Sequence, residues 1–179
     1  EEGEEAMSGL DLLRWLRQRE RFIPVIMLTS YPEWQVESLG QGAIAFITKP
    51  WDNNTLAGQV RATLAAVSQI RAEAQPSADQ NVLTIPPTTR IDLHQMRVIH
   101  REVEIDLTPI EFALLVFFAR NPNRYWTREE LLKRVWGYDW DGYPRTVDRH
   151  IAALRRKLKL ERNEMIETAH GVGYRLVRA

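Results

Sequence analysis

The sequence contains no cysteine among its 179 residues. Disulfide bridges and thiolate metal sites are therefore excluded, and a reducing compartment is compatible with the composition. Long apolar runs are also missing, because the longest, 112–119, is far shorter than the roughly 20 residues of a membrane-spanning helix. Residues 1–5 are mostly acidic and lack the basic and apolar regions of a signal peptide. We expect a soluble, cytoplasmic protein without a membrane partner.

Neither sign of charge is in excess overall, with 24 basic and 24 acidic side chains, but the two halves of the chain differ. Residues 1–88 carry 7 basic and 11 acidic residues, whereas residues 89–179 carry 17 and 13. A basic half is the sign expected of a phosphate binder, although an imbalance of this size is also ordinary scatter. The four histidines are scattered, and no nucleophile–base pair or metal cluster is recognisable. We therefore do not expect an enzyme.

Helix-like and strand-like segments alternate in the first part of the chain. Apolar residues at helical spacing predict helices over about 9–20, 33–39 and 53–73. The nearly continuous apolar runs 24–29 and 43–48 are typical of strands that are buried on both faces. This alternation predicts an α/β fold with a parallel sheet, but two strands are too few for an independent sheet. We interpret residues 1–73 as the C-terminal part of a doubly wound domain.

Residues 74–81 are small and polar, which predicts a linker. Short β-like runs follow between 82 and 106, and two capping boxes, beginning at Thr108 and Thr127, predict the starts of two helices. A third helix and a closing hairpin complete the pattern, over about 144–160, 165–169 and 174–177. We expect an α+β domain over 82–179.

The predicted third helix has two different faces. At about 100° per residue, one narrow face carries Val147, Ile151, Leu154 and Leu158, which we predict to be core. The opposite face carries Arg145, Arg149 and Arg156, flanked by Thr146, Ala152 and Ala153. Small residues allow a helix to approach the major groove closely, and arginines contact guanine edges or phosphates. From the residues alone, a solvated cationic face on a surface helix stays open as the alternative.

Five sequence blocks occur in a specific order, at 107–115, 127–132, 145–151, 154–158 and 171–175. Together they resemble the winged-helix output domain of two-component response regulators of the OmpR/PhoB type. The resemblance implies a small antiparallel sheet, three helices and a wing, and a transcription regulator that binds double-stranded DNA. In this family the third helix reads the major groove, and the wing contacts the minor groove or the backbone.

The resemblance also implies roles for single residues. Thr146 and Arg149 are the expected base readers, and the expected backbone contacts are Arg145, Arg155 and Thr168. His150 and Arg156 belong to the same DNA-binding set.

Two further members of the set depart from the family. Ala153 and His170 stand where arginine is common, so DNA affinity or sequence preference is expected to differ. His170 could add a pH-dependent phosphate contact, and a plain turn residue is the alternative. The loop 136–143 can face RNA polymerase in this family, and its aromatic residues suit such an interface, although Trp136 alone is more typical of a core.

The segments 25–30 and 46–50 resemble the second half of a receiver domain. In receivers an aspartate accepts a phosphoryl group in a pathway that begins at a sensor histidine kinase. A lysine pairs with the phosphate, a hydroxyl residue donates to it, and an aromatic ring moves inward. Lys49, Thr29 and Phe46 occupy these three positions, and the family often has a cis bond before Pro50. Without the resemblance, Thr29 at a strand end and Phe46 in a core remain the alternative.

Other receiver features are missing from the sequence. The acceptor aspartate and the acidic metal-binding pair are not found. We expect an N-terminally truncated receiver whose first three strands, which carry these residues, precede residue 1; a degenerate receiver without an acceptor is the alternative. Mg²⁺ is therefore expected only for a complete receiver. Receivers of this type pair through charged residues, but Ile44-Ala45 replaces an acidic pair here. Gln59 and Ala65-Ala66 stand where basic residues are common, and only Arg61 matches. Dimerisation in the family manner is therefore doubtful, and a homodimer is kept only as a candidate.

Two functions of different classes follow from these observations. The leading hypothesis is a sequence-specific transcription regulator that phosphorylation controls in its complete form. The alternative is a signalling interaction module whose winged helix binds protein rather than DNA, since Ala152-Ala153 would suit a flatter contact. Salt dependence separates them, because binding through several phosphates weakens steeply with salt.

Overall fold

The computed structural model describes residues 8–19, 23–73, 82–136, 145–160 and 164–177. The helices are α1 (Gly9–Arg19), α2 (Gln35–Gly40), α3 (Asn53–Glu73), α4 (Pro109–Arg120), α5 (Arg128–Leu131) and α6 (Arg145–Lys157). The strands are β1 (Ile26–Thr29), β2 (Ala45–Thr48), β3 (Val82–Ile85), β4 (Thr89–Asp92), β5 (Arg97–His100), β6 (Val103–Ile105), β7 (Ile166–Ala169) and β8 (Gly173–Leu176). A 3₁₀ turn, Pro32–Trp34, precedes α2, and a π-helical segment, Leu132–Trp136, continues α5. The predicted linker 74–81 lies outside the described residues.

The N-terminal α/β part (described residues 8–73) is built on the parallel pair β1–β2, as the sequence predicts. Its core is a small cluster of Leu10, Leu13, Met27, Leu39 and Ala43. The expectation that β1 is buried on both faces is wrong, because Leu28 is 37% exposed. Met27 is covered by α1, whereas the face that carries Leu28 is only partly covered.

The C-terminal domain (described residues 82–177) begins with a four-stranded antiparallel sheet in the order β3-β4-β5-β6. The helices α4, α5 and α6 follow, and β7 and β8 form an antiparallel hairpin. Trp126 joins this hairpin through a bridge to Tyr174. The order of sheet, three helices and hairpin is that of a winged helix. The predicted fold class, an α/β part followed by an α+β domain, is therefore confirmed.

The predicted capping boxes begin α4 and α5. The Glu130 carboxylate accepts the N–H of Thr127 at 2.9 Å, and the Thr127 hydroxyl accepts the N–H of Glu130 at 3.1 Å. At α4, the Glu111 carboxylate accepts the N–H of Thr108 at 2.8 Å. These side chains satisfy N–H groups that a helix start leaves without intrahelical partners.

The N-terminal part and the C-terminal domain pack closely together. Helix α2 contacts α6, and α3 contacts the π-helical segment. Ile44, which precedes β2, belongs to the core cluster of the C-terminal domain. Within the described ranges, no helix combines the length and apolar composition that crossing a bilayer requires.

Candidate nucleic-acid interface

The aliphatic face of α6 is buried as predicted. Val147, Ile151, Leu154 and Leu158 are all fully buried and belong to the domain core. They face α4 and α5, both of which pack against α6. Burying four aliphatic side chains on one side of the helix fixes which of its other sides can reach a ligand.

The opposite face of α6 is accessible. Ala152 and Arg156 are exposed, and Arg149 is partly exposed. Arg145 begins the helix, and its side chain lies outside the described residues. Among the described side chains, the accessible face therefore has two arginines two turns apart, with a small residue between them.

A third side of α6 differs from the expectation. Thr146, His150 and Ala153 are 3%, 1% and 5% exposed. On the helical wheel they share this side with Lys157, which lines a cleft together with Arg17 and other residues of the N-terminal part. Since α2 packs on α6, the N-terminal part covers the side that carries these three residues. In this arrangement they cannot reach DNA, so their DNA-binding role stays a prediction that requires the two parts to separate.

His150 is held neutral by its surroundings. Its ring lies 5.4 Å from that of Trp136, between ring centroids. Burial lowers the pKa of His150 to about 3, and the positive charges of Lys157 and Arg149 act in the same direction. A neutral, covered imidazole offers no cation to a phosphate here.

Arg155 and Thr168, which are both predicted to contact the DNA backbone, are hydrogen-bonded to each other. The Arg155 guanidinium donates to the Thr168 hydroxyl at 2.8 Å and to the Ile166 carbonyl at 2.6 Å. Burial lowers the pKa of Arg155 from its ordinary value. These bonds join the C-terminal half of α6 to β7, so Arg155 positions the wing.

A second link between α6 and the wing was missed by the sequence reasoning. The Asp148 carboxylate accepts hydrogen bonds from Arg128 Nε and from the Tyr174 hydroxyl, both at 2.7 Å. Burial, followed by the hydrogen bond to Asp148, raises the pKa of Tyr174 to about 12. The available signal was Asp148 itself, an acidic residue inside a basic helix.

The wing depends on a close backbone approach at Gly173. Its φ is +152°, and a Cβ there would lie 2.0 Å from the Trp126 carbonyl oxygen. Only glycine fits this contact without displacing the backbone. At the tip of the hairpin His170, Gly171 and Val172 are exposed, which is the accessibility that a wing contact with DNA requires.

The predicted phosphate-sensing residues lie on or directly after β1 and β2: Thr29 ends β1, Phe46 is in β2, and Lys49 follows β2. The Lys49 N–H donates to the Thr29 carbonyl at 2.8 Å, so both residues stand at the carboxyl end of the sheet. The Thr29 hydroxyl is buried and accepts the N–H of Tyr31 at 3.1 Å. Phe46 is partly buried against the small core cluster. The Lys49–Pro50 bond is cis, as expected from the resemblance.

Comparison with known proteins identifies a family for the N-terminal part and for the C-terminal domain. Residues 101–176 match the family model described as the C-terminal domain of transcriptional regulatory proteins, and residues 5–61 match that of the response regulator receiver domain. The transcriptional regulatory protein SrrA of Staphylococcus aureus (strain NCTC 8325 / PS 47) is 36% identical over 174 residues, covering 94% of this chain and 71% of SrrA. The chain belongs to the OmpR/PhoB-type response regulators.

The response regulator thus has a receiver domain followed by a winged-helix DNA-binding domain. Two solved structures of RitR mutants, in each of which one cysteine is replaced, are similar to it over 95% of the chain. The mutant with aspartate in place of the cysteine has a TM-score of 0.74 at 26% identity, and the mutant with serine has a TM-score of 0.73 at 27% identity. The match covers 73% and 74% of those chains.

The Mg²⁺ expected for a complete receiver has no set of ligands in the part of this response regulator that the structure describes. No group of three or more His, Cys, Asp or Glu side chains that could hold a metal ion occurs there. The described residues therefore do not provide a metal site.

The loop 136–143 of this response regulator lies outside the described residues except for Trp136. Trp136 is fully buried, and its indole N–H donates to the Ile44 carbonyl at 3.3 Å. The prediction that Trp136 is a core residue is therefore confirmed. Its hydrogen bond also connects the two domains, which the sequence did not indicate. The proposed contact of the loop with RNA polymerase stays a prediction.

Proposed function

We propose that this response regulator is a sequence-specific transcription regulator that binds double-stranded DNA through α6 and the wing. The observation that carries the proposal is the division of α6 into a buried aliphatic face and an accessible face with Arg149 and Arg156. These arginines are seven residues apart, which is roughly 10 Å along a helix. That spacing allows one arginine to enter the major groove of DNA while the other contacts a phosphate at its edge.

Base reading is assigned to Arg149, which lies in the N-terminal half of α6. Its guanidinium can donate two hydrogen bonds to one guanine edge, and the exposed Ala152 leaves room for the groove wall. Arg156, near the C-terminal end, is placed to hold a phosphate. Thr146, His150 and Ala153 would join the interface once the receiver no longer covers them.

Control by phosphorylation follows from the receiver. In a complete receiver, a sensor histidine kinase would supply the phosphoryl group, and Mg²⁺ is the cofactor that we expect there. Lys49 would then pair with the phosphate and Thr29 would donate to it, since both stand at the carboxyl end of the sheet. The loop 136–143 is the proposed contact with RNA polymerase.

The deciding experiment is selection of bound duplexes from a random pool, followed by affinity measurements on the enriched sequence at several salt concentrations. We expect one enriched motif and an affinity that falls linearly with salt on logarithmic axes, with a slope of about 0.9 for each phosphate contacted. A scrambled duplex of equal length is the control. Absence of any enriched motif, together with salt-insensitive binding, would reject the proposal.

A protein-binding winged helix remains the second candidate, because one observation favours it. The side of α6 that carries Thr146 and Ala153 already packs against a protein surface, that of the receiver. If this were the main role of α6, substitution of Arg149 would leave partner binding unchanged, and no duplex would be selected from the pool.

A further inference from the structure

The carboxylate of Glu111, in the first turn of α4, binds two groups at once. Its Oε2 atom accepts hydrogen bonds from the N–H of Thr108 at 2.8 Å and from Nζ of Lys157 at 2.7 Å. Thr108 caps α4, whereas Lys157 is the last residue of α6. Glu111 is 1% exposed, so its charge is buried and requires a partner. One side chain therefore completes the start of α4 and holds the end of the helix that is proposed to read DNA.

The cap of α4 does not by itself require a carboxylate. Glutamine completes a capping box as glutamate does, because its side-chain carbonyl also accepts the N–H of the capping residue. Lys157 carries a positive charge, and its side chain is only 30% exposed, so part of its hydration is lost. A carboxylate is the partner that compensates such a charge. The acidic group at position 111 is therefore explained by Lys157 rather than by the cap.

Charged hydrogen bonds hold α6 on both flanks of its aliphatic face. At about 100° per residue, Asp148 and Arg155 lie roughly a quarter turn to one side of that face, and Lys157 lies roughly a quarter turn to the other. Asp148 is bonded to β8 through the Tyr174 hydroxyl at 2.7 Å, and Arg155 is bonded to β7. Lys157 is bonded to α4 through Glu111. The wing thus holds one flank of the helix, and α4 holds the other.

Hydrogen bonds on opposite flanks fix the rotation of a helix about its own axis. Aliphatic contacts are non-directional, so the buried face alone permits a small rotation, whereas a charge-assisted hydrogen bond has a preferred length and direction. Arg149 and Arg156 lie opposite the buried face and are accessible. A rotation of about 20° moves a side chain on the helix surface by roughly 2 Å. A displacement of that size breaks a hydrogen bond to a base edge.

We propose that Glu111 is a positioning residue for DNA reading, which acts through Lys157 and sets the rotation of α6 about its axis. This inference rests on the proposed function, because it concerns the base contacts of that helix. It does not depend on the placement of the receiver, since Glu111 and Lys157 both belong to the winged-helix domain. It also gives Lys157 a role other than that of a phosphate contact.

The variant Glu111→Gln separates the two roles of the carboxylate. The amide keeps the hydrogen bond to the Thr108 N–H and removes the charge that holds Lys157. We expect the full chain with this change to bind the selected duplex about tenfold more weakly, because a base contact is displaced. Binding to a scrambled duplex of equal length should not change, so the ratio of the two affinities should fall about tenfold. The affinities are compared at a temperature at which urea unfolding shows both proteins to be folded.

Glu130→Gln is the matched control. Glu130 completes the second capping box and pairs with Arg124 rather than with a residue of α6, so its substitution should keep the affinity ratio of the unmodified chain. If Glu111→Gln also keeps that ratio, or weakens binding equally on both duplexes, the inference is wrong. If the unmodified chain itself prefers no duplex from the pool, the proposed function is rejected instead, and the inference is rejected with it.

Lys157→Met tests the same contact from α6 and keeps the inference falsifiable if Glu111→Gln does not fold. Methionine retains an unbranched apolar side chain and removes the charge. We expect the same fall in the affinity ratio, little further fall in the double variant Glu111→Gln/Lys157→Met, and an unchanged dependence of affinity on salt. Additive losses in the double variant would overturn the inference. A salt slope smaller by about 0.9, with equal losses on every duplex, would also overturn it, because Lys157 would then be a phosphate contact.

Discussion

The carboxylate of Asp148 accepts a hydrogen bond from the hydroxyl of Tyr174 at 2.7 Å, which joins α6 to the wing strand β8. Arg128 donates to the same oxygen at 2.7 Å, and the Arg155 guanidinium lies 5.8 Å from the centre of the Tyr174 ring. Helix and wing must contact one duplex together, so this network fixes the relative position of the two DNA-binding elements.

Removal of the Tyr174 hydroxyl should destabilise the winged helix. We expect Tyr174→Phe to lower the free energy of unfolding by about 1–2 kcal/mol, because a hydrogen bond to a carboxylate is lost while the ring is kept. Urea unfolding measures the change. Tyr31→Phe, at an exposed tyrosine, is the control and should be nearly neutral. Equal stability of the Tyr174 variant and the parent would show that the link to Asp148 contributes nothing.

Two glycines should respond in opposite ways to the same substitution. Gly173→Ala places a Cβ 2.0 Å from the Trp126 carbonyl oxygen, and we expect a loss of about 2 kcal/mol or more. Gly58→Ala lies in α3, where nothing is within 4 Å of the new Cβ, and should raise stability by about 0.5–1 kcal/mol. Thermal unfolding of both variants checks the pair. A Gly173 variant as stable as the parent would contradict the close approach.

Stability should fall on acidification because of His150. Its pKa is about 3 in the folded protein and 6.5 ordinarily, so the unfolded chain binds more protons between these values. The stabilisation is complete above pH 6.5 and is lost as the pH falls toward 3, at up to about 1.4 kcal/mol per pH unit.

Urea unfolding of the parent and of His150→Gln at about pH 7.5, 6.0 and 5.0 measures this dependence. The substitution removes the titrating group, so the variant should show a shallower loss of stability over the same range. His100 has a pKa lowered by burial as well, but it is present in both proteins and cancels in the comparison. Parallel pH profiles would mean that His150 is not the source.

The start and the core face of α6 could be predicted from the sequence because they depend on local spacing, whereas the helix ends at Lys157 and not near the predicted residue 160. Val147, Ile151, Leu154 and Leu158 recur with helical periodicity, and all four are buried. The capping boxes were predictable for the same reason, since each is completed within four residues.

The burial of Thr146 and Ala153 could not be predicted in this way. A helical wheel separates a core face from its opposite, but it contains no information about a second domain that covers a third side. Ile44 gave the only local sign, as an apolar residue where receivers of this type carry an acid. In the sequence this sign indicates only weak dimerisation, because nothing near it identifies α6 as its partner.

Arg149 should carry more sequence preference than any other accessible residue of α6. We expect Arg149→Ala to cost about 1–3 kcal/mol of binding to the selected duplex and to relax base preference at one position. Fluorescence anisotropy on the selected duplex and its single-base variants measures both effects. Arg90→Ala, at an exposed position on β4, is the control. Equal losses on every duplex would reassign Arg149 to the phosphate backbone.

The isolated segment 1–73 should not fold cooperatively. Within its described residues the sheet has two strands, and three large apolar side chains are exposed: Leu28 on β1, Trp15 on α1 and Leu64 on α3. Removal of the winged-helix domain would also uncover Ile44. Two strands and a cluster of five buried residues are too small a core to offset the entropy of ordering the chain. We therefore expect a broad thermal transition by circular dichroism and binding of an apolar dye, whereas a sharp melt without dye binding would show that the segment is an independent folding unit.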